Sequence, residues 1–243
     1  MTSRPARLPP RGQDPHPTGA RTRTRTHAHT RDRTGAADTR ARILEAARRE
    51  LGRNPDCALA DIAEAAGVAR RTVYVHFAGR AALVEGLAAE AAEAVRLASE
   101  VAHVTAPDAA TALARFVLTL WPAADRYRVL VNLAHQDLDA HRVDEVLAPA
   151  RTAVAGILTQ GQRQGLFHTT LPPGPLNRAL EAYLLSLLDT ANAGAWTDDD
   201  TAAATAATAA LIVAGVDRNL ATTTVRRLHD DLGPTHSPTE GAP

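Results

Sequence analysis

The chain has no lysine, a single cysteine, a single methionine and very few aromatic residues: two Trp, three Tyr and three Phe among 243 residues. Each shortage excludes something. One cysteine, Cys57, cannot form an internal disulfide framework, and it fits a reducing cytoplasm. Without paired Cys or Cys/His spacing there is no zinc signature, so neither a metal site nor a cofactor is expected. No apolar run reaches the ~18 residues expected of a membrane span, and no apolar signal core follows the basic N-terminus, so no membrane partner is expected. Alternating polar and apolar runs are missing too, which leaves little basis for strands. An enzyme is not expected: there is no Gly-rich phosphate loop, no Gly-x-Ser-x-Gly turn and no HExxH, and Ser186 and Asp189 on one helix are routine chemistry.

What the chain does have is alanine, leucine and arginine. Hydrophobic residues make up 45%, enough for a core that aliphatic side chains must fill. Apolar positions recurring at helical spacing predict an all-α protein of about nine helices. The formal charge is zero, but its distribution is uneven. Residues 1–40 hold nine Arg against three Asp, and the rest of the chain carries the compensating acidic excess. A basic front end on an acidic body suits a nucleic-acid-binding module joined to a part that need not touch nucleic acid.

Residues 1–36, rich in Arg, Thr, Pro, Gly and His, cannot bury apolar surface and are expected to be a disordered arm. Its arginines can add phosphate or minor-groove contacts, or the segment is a neutral extension or a mis-assigned start. Order is expected from Ala37. Ile43, Leu44, Ala47 and Leu51 make a helical stripe that ends near Gly52 and Asn54-Pro55. Two short helical segments then flank Gly67, where a tight turn requires a residue without Cβ. Ile62, Ala63 and Ala66 line the first, and Val68, Val73 and Phe77 the second. Two short helices crossing steeply through such a turn form a helix-turn-helix, whose second helix can enter a DNA major groove.

Arg70 and Arg71 open that second helix. A guanidinium can donate two bonds to guanine O6 and N7, so a G-containing half-site is expected. The hydroxyls of Thr72 and Tyr74 suit phosphate or base contacts, and His76 and Arg80 lie within reach of the phosphate backbone. One such module reads too few base pairs, so a homodimer on a double-stranded operator is expected.

Beyond Phe77 the pattern predicts a long helix from about Arg80, and then helices over 108–120, 125–138, 142–165, 176–192 and 199–216. Trp121-Pro122 is expected to close the first of these, and Pro172 to Pro175 to form a loop. Residues 84–220 are expected to form a helical effector-binding and dimerisation domain, and 221–243 a flexible tail. Phe116, Trp121, Tyr127, Asn132 and His135 are the candidate walls of an effector pocket. The dimer interface is expected on the last two helices, with Leu180, Leu184, Leu187 and Leu188 supplying bulk and Thr205, Thr208, Ile212 and Gly215 a small-residue side for close approach.

These residues also carry a family resemblance. The stretch DIAEAAGVARRTVYVHFAGRAAL, Asp61–Leu83, closely resembles the DNA-binding segment of the TetR family of bacterial transcriptional regulators, and TRARILEAARREL before it fits that family's first helix. The resemblance implies a three-helix DNA-binding domain over 37–83 followed by a helical ligand-binding and dimerisation domain. It also implies that the positions of Thr72 and Tyr74 touch DNA. The function it implies is a dimeric repressor released from its operator by a small-molecule effector. Departures are Ala69 at a usual cap position, Arg71 where a small residue or Pro is usual, Val75 where a larger side chain is usual, Arg80 in place of Lys, and a 52–58 loop without an aromatic-glycine pair. The competing reading is an architectural or RNA-binding protein acting through the Arg-rich arm.

Overall fold

The computed structural model describes residues 23–102, 106–134, 137–196 and 201–232, with side chains over 35–100, 106–134, 137–196 and 201–231. The chain divides into two units, residues 1–41 and 42–243. The expected disordered arm is corrected over its second part, because helix α1 (Arg23–Arg53) takes in residues 23–36. Arg and Ala are good helix formers, and composition without a core does not forbid a helix. The Thr39 hydroxyl donates to the Gly35 carbonyl oxygen at 2.8 Å. Residues 1–22 lie outside the described residues.

The unit from residue 42 begins with the rest of α1, followed by α2 (Leu59–Ala65), α3 (Arg70–His76) and α4 (Arg80–Ala102). Next come α5 (Ala109–Arg126), α6 (Val129–Leu133), α7 (Ala140–Arg163), α8 (Pro173–Asn192), α9 (Ala202–Val213) and α10 (Arg218–Leu232). The described residues thus form ten helices and no strand. None of these helices is long and apolar enough to cross a membrane.

Two apolar cores organise the unit. The first gathers Ile43, Leu44, Ala47 and Leu51 of α1, Ile62 and Ala63 of α2, Val73 of α3 and Phe77. It extends through Leu83, Leu87, Ala88 and Ala91 of α4 to Val129, Leu130 and Leu133 of α6. The N-terminal core therefore takes in half of α4, and it is closed by a helix from the second half of the chain. Each fully buried Leu, Ile or Phe is worth about 1.5–3 kcal/mol of transfer free energy, so this closure is a substantial tie. The second core joins Leu113, Phe116 and Val117 of α5 to Leu158 of α7, Leu176 and Leu180 of α8, and Ala206, Ala207, Ala210 and Leu211 of α9.

Several expected boundaries move, each for a physical reason. α5 runs through Pro122 to Arg126, because buried Leu118 and Trp121 hold the helix across the lost proline donor. The expected 125–138 helix shortens to the five residues of α6. Pro173 and Pro175 are the first turn of α8, where proline costs little, and not a loop. The flexible tail is corrected as well: Ala221, Val225 and Leu228 of α10 are buried against the second core. Their i, i+4, i+7 spacing is helical, and the threonines between them obscure it.

Candidate nucleic-acid interface

The turn between α2 and α3 follows from Gly67. Its φ is +63°, the left-handed region that costs an L-residue roughly 1–2 kcal/mol. That conformation lets the Val68 N–H bond the Ala63 carbonyl oxygen at 3.0 Å and the Gly67 N–H bond the Glu64 carbonyl oxygen at 2.9 Å. This is the paired C-terminal closure of a Schellman motif. The remaining carbonyls of Ala66 and Gly67 accept from Nη2 of Arg42, at 2.8 and 3.3 Å. Arg42 thus pins α1 to the negative end of α2, a role the sequence pattern did not single out. At the other end of α2, the Asp61 carboxylate accepts from the Ala58 N–H at 2.9 Å, as an acidic residue three positions into a helix should.

Helix α3 is held by one buried residue, Val73, with Phe77 directly behind it. Everything else on the helix is outward or half-buried. Arg70, Arg71, Tyr74 and Val75 are exposed, and Thr72 and His76 are half-buried. The Arg70 guanidinium lies 5.8 Å from the Tyr74 ring centroid, a cation–π contact that stiffens the arginine in an outward pose. Ala69 caps α3 with extended backbone and no side-chain bond; its carbonyl oxygen accepts from the Thr72 N–H at 2.8 Å.

Val75 stands in the sequence only as a departure from the family pattern, not as an expected DNA contact. It is 76% exposed beside Tyr74 at 45%, so two large apolar surfaces face outward on one short helix. On a soluble surface that is a cost; against a thymine methyl group it is a contact. Alternation of core and surface along α3 could have flagged it, because Val75 falls two residues after the buried Val73.

Arg80 is placed differently from expectation. It starts α4, but its Nε and Nη2 donate to the two carboxylate oxygens of Asp137 at 3.0 and 2.9 Å. The hydrogen bonds to Asp137 push the Arg80 pKa up. A guanidinium so engaged is not free to meet phosphate unless Asp137 lets go.

A cavity of about 890 Å³ is walled mainly by α4 to α8, with Pro55 and Ala210 of α9 at its edge. Phe116, Trp121, Tyr127 and Asn132 all border it, and His135 lies outside the described residues. The interface expectation divides. Leu180 and Leu188 are buried within the chain and border the cavity, because the α8 leucine stripe is used by its own core. They cannot supply bulk to a partner. Leu184 and Leu187 are half-buried. On α9 and just after it, Thr205, Ile212 and Gly215 are exposed and Thr208 is half-buried.

An all-helical chain that presents a short basic helix through a Gly-closed turn, backed by a second helical core, has the fold of a DNA-binding transcriptional regulator. Residues 43–87 match the family model for bacterial regulatory proteins of the tetR family. Regulators of this family are DNA-binding transcription factors and not enzymes. Solved structures share the fold. A gamma-butyrolactone receptor, described as ArpA-like, is 18% identical with a TM-score of 0.63, over 81% of this chain and 98% of that one. The MbdR regulator from Azoarcus sp. CIB is 19% identical with a TM-score of 0.60, over 73% and 97%. The TetR family regulator PfmR from Thermus thermophilus is 21% identical with a TM-score of 0.58, over 72% and 95%. No curated protein sequence matches the chain.

Proposed function

We propose that the protein is a dimeric repressor whose paired α3 helices read an operator and that a small molecule in the cavity releases it. The observation that carries this reading is the outward face of α3. Arg70 and Arg71 make no ion pair among the described residues, so their charge is available to DNA. Arg70 and Arg71 are assigned to base edges, with guanine as the preferred partner, Thr72 and Tyr74 to phosphate or base contacts, and His76 to the backbone. Val75 adds an apolar contact to a thymine methyl. Arg80 reaches phosphate only in the state where its bond to Asp137 opens.

Pairing is assigned to the outer side of α8 and α9. Leu184 and Leu187 supply what bulk remains, and Thr205, Thr208, Ile212 and Gly215 the closely approaching side. Ile212, at 41% exposed, is the apolar centre of that strip. Two chains place two recognition helices, as a two-fold operator needs. The cavity borders α4, which leads directly out of the recognition helix, so a ligand that favours one position of α4 alters the spacing of the two readers. Such a ligand must bind the DNA-incompetent state more tightly than the competent one. The lone Cys57 is free, in keeping with action in a reducing cytoplasm.

The test is a gel shift with the DNA upstream of the protein's own gene. A salt-sensitive band that resists unrelated competitor DNA supports the reading. Binding that unrelated DNA removes equally well counts against it.

A further inference from the structure

The charged groups around the cavity neutralise one another. Arg151 spends Nε and Nη2 on the two oxygens of Glu181 and Nη1 on Asp144 at 2.7 Å. Glu181 also accepts from Arg178 at 3.1 Å. The other carboxyl side chain described on the wall is that of Asp189, which is exposed. An anionic ligand would therefore shed its water and find no unspent cation among the described lining residues, a heavy cost in an apolar site. The rest of the lining is mainly Leu, Val, Ala and aromatic side chains.

Two donors on that wall are unspent among the described residues: Trp121 Nε1, buried with no hydrogen-bond partner, and the side-chain amide of Asn132. Asn192 donates from Nδ2 to the Arg128 carbonyl oxygen at 2.9 Å and to Asn132 Oδ1 at 3.3 Å. Because the first bond identifies the Asn192 nitrogen, the group it meets on Asn132 must be the oxygen. The Asn132 amide is thereby oriented, and its own N–H groups make no bond among the described residues. Asn132 is half-buried on the cavity wall, so its free N–H groups can meet an acceptor that enters there.

We propose that this cavity takes an uncharged, largely apolar molecule bearing a carbonyl-type acceptor (a ketone, ester or lactone) and that the Asn132 side-chain amide receives that oxygen. The proposal rests on the cavity being the effector site. Its volume suits a drug-sized ligand buried on most sides.

Three dyes of similar bulk separate the outcomes on the full-length protein: Nile red, uncharged with one carbonyl oxygen; 8-anilinonaphthalene-1-sulfonate, an anion; and Nile blue, a cation. The chain's two tryptophans, Trp121 and Trp196, stand edge to face with centroids 5.6 Å apart. A Trp196→Phe protein leaves Trp121 on the cavity wall as the sole reporter of where a dye sits. Nile red is expected to bind saturably, one per chain, quench Trp121, and outbind both charged dyes by about tenfold or more. Asn132→Leu is expected to weaken Nile red by about tenfold, the usual order for a lost hydrogen bond that leaves a buried acceptor unpaired. Asn132→Ser gives the same direction if the leucine variant folds poorly. Tighter binding of either charged dye, no saturable Nile red binding, or Nile red binding indifferent to both Asn132 variants overturns the proposal. Release from DNA distinguishes the layers. Nile red that binds through Asn132 yet leaves the protein on DNA refutes the effector reading alone. An anion that binds and releases DNA refutes the chemical assignment alone.

Discussion

Arg80 and Asp137, 57 residues apart in sequence, meet through two parallel hydrogen bonds of 3.0 and 2.9 Å. Arg80 is the first residue of the helix that leaves the DNA-binding core, and Asp137 follows the short helix whose Leu130, Val131 and Asn132 border the cavity. The pair therefore ties the recognition module to the cavity wall. Both side chains are partly shielded, at 31% and 15% exposure, so it is worth more than an open surface pair. Asp137→Asn is expected to lower the melting temperature by a few degrees while freeing Arg80 for phosphate. DNA affinity should rise a few-fold, with the salt dependence of log K steeper by about one. Anisotropy titrations across a salt series check this, and an unchanged slope would show that Arg80 does not reach the backbone.

Arg70 and Val75 should divide the work of reading sequence. Arg70→Ala is expected to lose about 1–3 kcal/mol on the preferred site and to relax selection at a guanine, leaving unrelated DNA little affected. Val75→Ala should weaken only sites with thymine at one position. Selection of bound duplexes from a randomised pool measures both. Equal losses on every sequence would mean that these residues anchor and do not read.

Stability offers a test independent of DNA. Gly161 on α7 has no room for a methyl group, since a Cβ there would lie 2.1 Å from Cδ2 of buried Phe167. Gly161→Ala is expected to cost about 1–3 kcal/mol as the ring is displaced. In a domain of this size that lowers the melting temperature by roughly 2–4 °C per kcal/mol. Combining it with Phe167→Leu should recover part of the loss. Simple addition of the two losses would show that the ring is not what the methyl group meets.

The pH dependence has a definite sign at Glu45. Its carboxylate accepts from Arg48 at 2.6 Å and from Arg126 at 2.8 Å, and the Arg48 hydrogen bond holds its pKa below the usual carboxylate range. A depressed folded pKa contributes stability that is complete above the unfolded value and disappears as the pH falls through the folded one. The group is partly exposed, so the contribution is only about 1 kcal/mol or less. Glu45→Gln should melt slightly lower at neutral pH and converge with the parent protein in acid. A gap that persists or widens in acid contradicts the assignment.

The helix-turn-helix was legible from residue types because its determinants are local. Gly67 sets the turn, and Val73 and Phe77 mark the inner side of a helix too short to hide its pattern. Bonds that span long separations were not legible. Nothing near Arg80 announces Asp137, and nothing near Arg42 announces the carbonyls of Ala66 and Gly67. Prolines misled where packing outweighs a single lost hydrogen bond, as at Pro122. Leu180 and Leu188 read as bulk for a partner because periodicity finds an apolar stripe without saying which neighbour covers it. Ala221, Val225 and Leu228 show the reverse, a buried stripe hidden among threonines.

Whether α3 reads DNA as one of a pair is tested most directly by binding stoichiometry and selectivity on a labelled duplex from upstream of the gene. Analytical ultracentrifugation with anisotropy is expected to give two chains per operator, binding weakened by salt, and a loss of about tenfold or more on Arg70→Ala. One chain per duplex, or equal affinity for a scrambled duplex with Arg70→Ala unchanged, would contradict it.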